Sequence, residues 1–244
     1  FDEKEQCLVS GSSGGSLKVY DLAEGRVMRS LPGHRSNVTC LHYHPFGEFV
    51  VSGSLDTNVK LWDVRKKGCI MNYKGHERDI TAVRFSPDGR WVASCAKNST
   101  FKLWDLTSGK ILNSWTLPKS VHMTSLCFNP AELVLAAATT ERLVRLYDME
   151  SFEVIGTTSP ESSLVRACTF NNAGDALLTA TQDALRAWTW DGTGSGHPPV
   201  RCTKYVDCAW EKVTEIVATA DDKVVAASYQ SNFVSVYECD ASGA

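Results

Sequence analysis

Residues 33–63 read GHRSNVTCLHYHPFGEFVVSGSLDTNVKLWD, and residues 75–105 read GHERDITAVRFSPDGRWVASCAKNSTFKLWD. Both segments begin with Gly-His and end with Trp-Asp, at the same internal spacing. Two further segments end with Tyr-Asp, at residues 20–21 and 147–148, so that the four aspartates follow one another at intervals of 42, 42 and 43 residues. The chain is therefore built from a repeat of slightly more than forty residues.

Each repeat consists of short alternating runs of apolar and polar residues, separated by residues that form turns. In the third repeat the runs at 80–85, 91–95, 101–104 and 111–115 are separated by Ser-Pro-Asp-Gly, Ala-Lys-Asn-Ser and Thr-Ser-Gly. Alternation with a period of two, and turns roughly every eight to twelve residues, predict strands rather than helices. A period of about 40 to 45 residues with Gly-His and Trp-Asp landmarks is the WD-repeat signature. We therefore predict an all-β chain that folds as a WD-repeat β-propeller.

The repeat divides the chain into six parts of one predicted domain that spans residues 1–244. The predicted limits of the repeats are 1–31, 32–73, 74–116, 117–159, 160–205 and 206–244. The first repeat is short, and the last ends after its third predicted strand, whereas a closed propeller leaves few strand edges unpaired. We therefore expect the sequence to be part of a larger propeller, whose first blade is missing or partial here.

Four polar residues of the second repeat have the spacing of a structural hydrogen-bonded tetrad: His34, Ser52, Asp56 and Trp62. A buried indole N–H and a buried imidazole both need hydrogen-bond partners, which a serine and an aspartate can supply. The same residue types could also suggest a hydrolase, but a nucleophilic serine needs an exposed hydroxyl and an oxyanion hole. Because Ser52 directly follows the apolar run 49–51, we predict a structural role and no enzymatic activity.

The other repeats depart from this tetrad, and we expect them to rely on packing rather than on a polar network. Asn98 stands where the third repeat would need an aspartate, and in the fifth repeat Asp183 lies only five residues before Trp188. The other residues at the tetrad positions are His76, Ser94 and Trp104 in the third repeat, Lys119, Ala137, Glu141 and Tyr147 in the fourth, Ser10, Gly14 and Tyr20 in the first, and Ala227, Ser231 and Tyr237 in the sixth.

The composition argues against several classes of function. The 25 basic and 28 acidic residues leave a net charge of −3, which is too balanced for a protein that binds nucleic acid by neutralising phosphates. The longest apolar run, residues 133–138, is too short to span a bilayer. The glycine-rich stretches 11–15 and 192–196 are not placed to begin a phosphate-binding helix, so we expect loops there. We therefore predict no nucleic-acid, membrane or cofactor partner.

The cysteines and histidines give no metal motif. Nine cysteines occur singly, without a Cys-x-x-Cys pair, and most lie in alternating apolar segments. This usage is typical of reduced core cysteines in the cytosol. His42 and His44 could share one face of a strand, but no third ligand accompanies them, so no metal site is predicted.

Two surfaces are candidates for binding a partner. Loops that enter the first strand of a blade, and loops that join its second and third strands, share one face of a propeller. The opposite face carries the basic turn, Arg65-Lys66-Lys67, which could contact an acidic partner such as a tubulin tail or could be a solvated loop. On the first face, here called the candidate binding face, we predict Arg35, Asn37, Leu55, Glu77, Asp79, Lys97, Ser120, His122 and Thr140.

Residues 44–76, HPFGEFVVSGSLDTNVKLWDVRKKGCIMNYKGH, resemble more than a generic repeat, as do the following RFSPDGRWVASCA and FKLWDLTSGK. Together they are similar to the WD-repeat domain of the non-catalytic regulatory subunit of katanin, the microtubule-severing complex. The resemblance continues more weakly through residues 164–188 and through SYQSNFVSVY near the C-terminus. The fourth repeat departs from it, because Leu117-Pro118-Lys119 replaces the Gly-His segment.

The resemblance implies a seven-bladed propeller in the intact protein, followed by a linker and a helical region that binds the severing ATPase. It also implies that the propeller targets the complex to microtubules or adaptors in the cytoplasm and cytoskeleton, at centrosomes, spindle poles, cilia or flagella. A structural component of the ciliary axoneme is an alternative function. A substrate receptor of a ubiquitin ligase or a chromatin complex is another, because propellers serve many functions.

Overall fold

A computed structural model describes residues 2, 5–66, 68–190, 200–208, 210, 212–219, 223–230 and 233–240. All regular elements in this part of the chain are β-strands, which confirms the prediction of an all-β protein. In chain order the strands are β1 (Cys7–Gly11), β2 (Ser16–Asp21), β3 (Arg26–Pro32), β4 (Val38–Tyr43), β5 (Phe49–Ser54), β6 (Val59–Asp63), β7 (Cys69–Tyr73), β8 (Ile80–Phe85), β9 (Trp91–Ala96), β10 (Thr100–Asp105), β11 (Ile111–Thr116), β12 (Met123–Phe128), β13 (Val134–Thr139), β14 (Val144–Asp148), β15 (Val154–Thr157), β16 (Ala167–Phe170), β17 (Leu177–Ala180), β18 (Ala184–Thr189), β19 (Arg201–Asp207), β20 (Val213–Ala218), β21 (Lys223–Gln230) and β22 (Phe233–Asp240).

These strands form six antiparallel sheets, and each sheet pairs strands that follow one another in the chain. The sheets are β1–β3, β4–β7, β8–β11, β12–β15, β16–β19 and β20–β22, here called the first to sixth blades. Consecutive small sheets of this kind are the blades of a β-propeller. The chain divides into two compact units, Phe1–His122 with the first three blades and Met123–Ala244 with the last three. The repeat limits and the seventh blade of the intact protein stay predictions.

A β-bulge recurs at one place in five blades, where the last strand pairs with the strand before it. The pairing register shifts there next to the aromatic residue that lies one place before the end of the earlier strand, and the extra residue bends and twists the pair. The sequence landmark of the repeat therefore marks a structural irregularity. The aromatic residues are Tyr20, Trp62, Trp104, Tyr147 and Trp188.

The core of each unit lies between neighbouring blades. In the N-terminal unit, Leu17 of the first blade packs in one cluster with Trp62 of the second. In the C-terminal unit, one cluster joins the fourth and fifth blades through Leu146 and Phe170. Another joins the fifth and sixth blades around Trp210. Burial of this apolar surface, at roughly 25 cal/mol per Å² removed from water, is the main force that holds the blades together.

An equivalent hydrogen bond, from a threonine hydroxyl to a main-chain carbonyl, joins neighbouring blades in both units. The Thr39 hydroxyl at the start of the second blade donates to the Ile80 carbonyl of the third over 2.7 Å. The Thr124 hydroxyl of the fourth blade donates to the Val165 carbonyl, which lies just before the fifth, over 2.8 Å. Both pairs are 41 residues apart. One repeat length thus brings a threonine to the main chain that enters the next blade.

The first glycine-rich stretch, residues 11–15, lies at the end of β1 and in the turn before β2. Gly15 has a φ of +78°, and a Cβ atom there would lie 2.5 Å from the carbonyl oxygen of His34. Glycine is therefore required for packing between two turns. The second stretch, residues 192–196, lies outside the described residues. Within the described part of the chain, no helix is long and apolar enough to cross a membrane.

Candidate functional site

The tetrad residues of the second blade lie in one hydrogen-bond network. The Trp62 indole N–H donates to the Ser52 hydroxyl, with 2.7 Å between Nε1 and Oγ. The Ser52 Oγ lies 2.6 Å from His34 Nε2, and His34 Nδ1 lies 3.0 Å from Asp56 Oδ2. A neutral ring with its proton on Nδ1 satisfies all these contacts. Ser52 is fully buried, and its hydroxyl is engaged by both Trp62 and His34.

Electrostatics favour a neutral His34 beside an ionised Asp56. Burial lowers the pKa of His34, and this outweighs the opposing effect of the Asp56 hydrogen bond. Burial by itself would raise the pKa of Asp56, but hydrogen bonds from the N–H groups of Arg35 and Asn58 and from His34 lower it below its usual value. Asp56 accepts the Arg35 N–H over 2.8 Å and the Asn58 N–H over 3.0 Å. The tetrad thereby fixes two loops of the candidate binding face.

The third blade also has a polar network, so the expectation that it relies on packing alone is wrong. The Ser94 hydroxyl lies 2.7 Å from His76 Nε2 and accepts the Trp104 indole N–H over 2.8 Å. His76 Nδ1 lies 3.4 Å from the hydroxyl of Thr100, which donates to Asn98 Oδ1 over 2.7 Å. The threonine thus stands between the histidine and Asn98. Sequence reasoning missed it because it lies two residues beyond the position of the aspartate.

The expectation that a blade relies on packing alone is also wrong for the fifth blade. Trp188 donates to the Thr179 hydroxyl over 2.9 Å, and that hydroxyl donates to the buried Glu161 over 2.5 Å. Glu161 also forms an ion pair with Arg186. Burial raises the pKa of Glu161, although Thr179 and Arg186 act in the opposite direction. Glu161 precedes Thr179 by 18 residues, the spacing from His34 to Ser52, and this signal could have identified it.

The tetrad positions of the remaining blades have different surroundings. Glu141 of the fourth blade is at the surface and pairs with Arg145 over 2.6 Å. In the sixth blade, Tyr237 packs edge-to-face against Trp210, with 6.1 Å between the ring centroids. Ser231 lies outside the described residues. Lys119 is exposed and accepts a hydrogen bond from Ser99 through its main-chain carbonyl, and Ala137 is buried. In the first blade, Ser10 and Tyr20 are half-buried and Gly14 is exposed.

The residues of the candidate binding face lie in loops that are joined by main-chain hydrogen bonds. In the second blade the Leu55 N–H donates to the Asn37 carbonyl over 3.0 Å, and in the third the Lys97 N–H donates to the Asp79 carbonyl over the same distance. The Lys97 ammonium also pairs with the Asp79 carboxylate at 2.9 Å. Thr140 is exposed in the turn between β13 and β14 of the C-terminal unit. In the N-terminal unit, Arg35, Asn37, Glu77, Lys97 and Ser120 are exposed, and Leu55, Asp79 and His122 are half-buried.

The basic turn is less available than its sequence suggests. Arg65 makes two hydrogen bonds to the carboxylate of Asp63, with distances of 3.0 and 3.1 Å, and Lys66 lies 3.8 Å from the same carboxylate. The hydrogen bond from Arg65 is the main reason that the pKa of Asp63 is lowered. Lys67 lies outside the described residues. A partner that approached this turn would therefore meet a partly neutralised charge, because Asp63 offsets one of the cations.

His42 and His44 hold the second blade to the third. His42 Nδ1 accepts the Phe85 N–H over 3.1 Å, and burial lowers the pKa of His42 to about 3. His44 Nε2 lies 3.1 Å from the Gly89 carbonyl, and its Nδ1 accepts the Phe46 N–H over the same distance. Three of the four ring nitrogens thus have main-chain partners. Both histidines therefore stabilise the contact between the second and third blades.

Six antiparallel blades, with a tryptophan–serine–histidine network in two of them, define a WD-repeat β-propeller domain. The match of a family model to residues 1–190 makes the relationship more specific. The chain belongs to the β-propeller family described as "Nucleolar protein 10-like, N-terminal domain".

Two curated plant proteins are similar to parts of the chain. The "Katanin p80 WD40 repeat-containing subunit B1 homolog KTN80.3" of Arabidopsis thaliana is 41% identical over 82 residues, which cover 34% of this chain and 9% of that protein. The "Pre-mRNA-processing factor 19 homolog 2" of the same plant is 30% identical over 70 residues, or 29% of this chain and 13% of that protein. The matches thus span only a small part of each relative, and they support the WD-repeat class.

Proposed function

We propose that the protein is a non-enzymatic interaction scaffold that targets or regulates a microtubule-severing complex of the katanin type. The scaffold role is supported by the ordered loops of the candidate binding face in the N-terminal unit. There the Asp56 carboxylate and two main-chain hydrogen bonds fix the loops, while the side chains of Arg35, Asn37 and Glu77 remain exposed. A surface ordered before binding loses little entropy when a partner docks.

The katanin assignment is supported by the local match to the katanin subunit and by the motifs in residues 44–110. In this proposal the propeller binds microtubules or an adaptor at spindle poles, centrosomes or cilia, and a region C-terminal to the propeller binds the severing ATPase. The propeller of the intact protein then has seven blades. The protein acts in the cytoplasm and cytoskeleton.

A second candidate function is a scaffold in a nucleolar assembly. It is favoured by the family model, which covers 190 residues of this chain, whereas the katanin match covers 82. Both candidates use the propeller to hold other proteins. They differ in the location of the protein and in the identity of what it binds.

Co-purification from cells separates the two candidates. The full-length protein, tagged and expressed at its natural level, is purified, and its partners are identified by mass spectrometry while its location is recorded by microscopy. Tubulin and a severing ATPase among the partners, with the protein on the cytoskeleton, support the first proposal. Ribosome-assembly proteins, with the protein in the nucleolus, contradict it and support the second.

Matched variants then identify the surface that binds. One variant replaces Arg35, Asn37 and Lys97 of the candidate binding face with serine, and the other replaces the basic turn with Gln-Gln-Gln. Surface ion pairs contribute only about 0 to 1 kcal/mol each, so we expect the basic-turn variant to retain its partners at physiological salt. We expect the binding-face variant to lose them. The reverse outcome would assign binding to the basic turn.

A further inference from the structure

A cavity of about 480 Å³ opens in the C-terminal unit, among loops of the kind that define the candidate binding face but at none of the residues named for it above. Its walls come from three loops, which precede β16, join β17 to β18 and follow β19. The seven residues that line it are Ser162, Ser163, Gln182, Asp183, Asp207, Cys208 and Trp210. A cleft with a few convergent polar groups is a default candidate for ligand binding.

The acidic groups of this cavity, Asp183 and Asp207, are both exposed. They lie close together because Ala184 pairs with Asp207 between β18 and β19, and because the Cys208 N–H donates to the Asp183 carbonyl over 2.8 Å. In the described part of the chain, neither carboxylate forms an ion pair with a lysine or arginine. The cavity therefore presents two carboxylates that no lysine or arginine of the described residues neutralises.

The arginine that reaches the wall of this cavity is already committed to other groups. Arg186 pairs with the buried Glu161, and its guanidinium lies 5.0 Å from the centre of the Tyr205 ring. It also reaches the Ser162 hydroxyl at 3.4 Å. Because Glu161 neutralises Arg186 inside the fifth blade, the arginine is not free to offset the charge of the cavity.

Asp183 is held in a fixed position. Its carboxylate accepts hydrogen bonds from the hydroxyls of Ser163 at 2.6 Å, Thr181 at 3.0 Å and Ser162 at 3.3 Å. The bond from Ser163 is the main cause of a lowered pKa of Asp183, so this group remains ionised at neutral pH. A fixed, ionised carboxylate gives more directional binding than a mobile one.

Apart from Gln182, the remaining wall is apolar and consists of Trp210 and Cys208. The buried Trp210 ring donates its N–H to the Thr181 carbonyl over 2.7 Å, and Cys208 is buried beside it. Lysine and arginine side chains combine an apolar stem with a cationic head. We propose that this cavity binds a lysine or arginine side chain of a partner protein, with the head at Asp183 and Asp207 and the stem against Trp210 and Cys208.

The inference rests on the proposed scaffold function and adds the chemistry of one contact. It predicts that a partner segment docked on the C-terminal unit carries a basic residue at this place. Guanidinium fits a pair of carboxylates better than ammonium, because its planar fork donates several hydrogen bonds at once. We therefore expect arginine to bind more tightly than lysine.

The test uses three blocked tripeptides, acetyl-Gly-Xaa-Gly-amide, in which the central residue is arginine, lysine or the neutral isostere citrulline. Binding to the 15N-labelled protein is followed through the indole N–H signal of Trp210. We expect arginine and lysine peptides to shift this signal in a saturable, salt-sensitive way and the citrulline peptide to leave it unchanged. Equal binding of the citrulline peptide, or no binding of any peptide, overturns the proposal.

A second experiment removes the charges of Asp183 and Asp207 and measures binding of the arginine peptide. Asp207→Asn changes a carboxylate that makes no side-chain hydrogen bond in the described structure. Asp183→Asn keeps one acceptor oxygen, for the hydroxyls of Ser163 and Thr181, and places an amide NH2 beside the weaker contact from Ser162. We expect the double variant to bind the arginine peptide about tenfold more weakly. Asp175→Asn is the matched control, because Asp175 is exposed in the turn between β16 and β17 and does not line the cavity. If the control weakens binding as much as the double variant, the proposal is wrong.

A third measurement separates this inference from the scaffold proposal. The double variant and the control are compared for the partners that the full-length protein retains in cells. If the wild-type protein retains partners but binds no peptide, the cavity inference fails and the scaffold function stands. If the peptides bind as expected but the wild-type protein retains no partner, the scaffold function fails.

Discussion

Replacement of Asp56 tests whether the tetrad of the second blade stabilises the fold. Asp56→Ala removes the acceptor of two loop N–H groups, at 2.8 and 3.0 Å, and of the buried His34 ring at 3.0 Å. Water can replace the carboxylate at the loop N–H groups, which leaves a loss of about 0.5 to 1 kcal/mol for each. The buried imidazole loses its partner, at a cost of about 1 to 3 kcal/mol. We therefore expect the free energy of unfolding to fall by about 3 kcal/mol.

For a chain of this length, such a loss corresponds to a melting temperature lower by about 6 to 12 °C. Circular dichroism during heating and urea titration measures it. Asp56→Asn keeps one acceptor oxygen and should lose only about 1 kcal/mol.

Glu141→Ala is the matched control, because Glu141 has the same repeat position in the fourth blade but makes only a surface ion pair with Arg145. That pair contributes about 0 to 1 kcal/mol, so the control should unfold nearly as the wild type does. Equal losses for Asp56→Ala and Glu141→Ala would refute the reasoning, because they would show that the network adds nothing to what a surface carboxylate supplies.

Three further predictions concern single residues. The pKa of His42 is about 3 in the folded chain, so below pH 6.5 the unfolded chain binds a proton at His42 that the folded chain does not bind. This residue alone therefore lowers the free energy of unfolding by about 2 kcal/mol between pH 7 and pH 5. His42→Asn, which keeps an acceptor near the Phe85 N–H, should reduce the pH dependence of the urea midpoint by that amount. Glu161→Ala should lower the free energy of unfolding by about 3 kcal/mol because it leaves Arg186 without its partner. Adding Arg186→Met to this variant should restore part of the loss. If the losses of the two single variants simply add in the double variant, this reasoning is wrong. Gly15→Ala should cost about 2 kcal/mol or more in a melting experiment, whereas Gly25→Ala, with a φ of +63° but open space around it, should cost about 1 kcal/mol.

The fold class could be predicted from the sequence because it depends on local patterns. Two-residue alternation determines which side chains a strand can bury, and the turns every eight to twelve residues end the strands. The spacing of the aromatic–aspartate landmarks also identified the repeat. Neither signal predicted the bulge at Trp62 and Trp104, because a register shift depends on the pairing of two strands.

The candidate site was only partly predictable for the same reason. The tetrad residues of the second blade could be named because the spacing from His34 to Ser52 and on to Trp62 is a property of one repeat. Glu161 follows the same spacing but is the wrong residue type for the motif. Its role depends on Arg186, which is 25 residues later in the chain and which neutralises it only in the folded blade.

The sequence alone determines that this chain forms β-blades of about forty residues, because strand alternation and turn chemistry act over a few residues at a time. The tertiary structure decides which polar groups are neutralised and which are left to a partner. Arg65 looks like a free cation until Asp63 is seen to bind it, and Asp183 and Asp207 become one acidic cavity only when strand pairing brings their loops together. Electrostatic interactions decline with distance in space rather than along the chain, and only the folded chain fixes those distances.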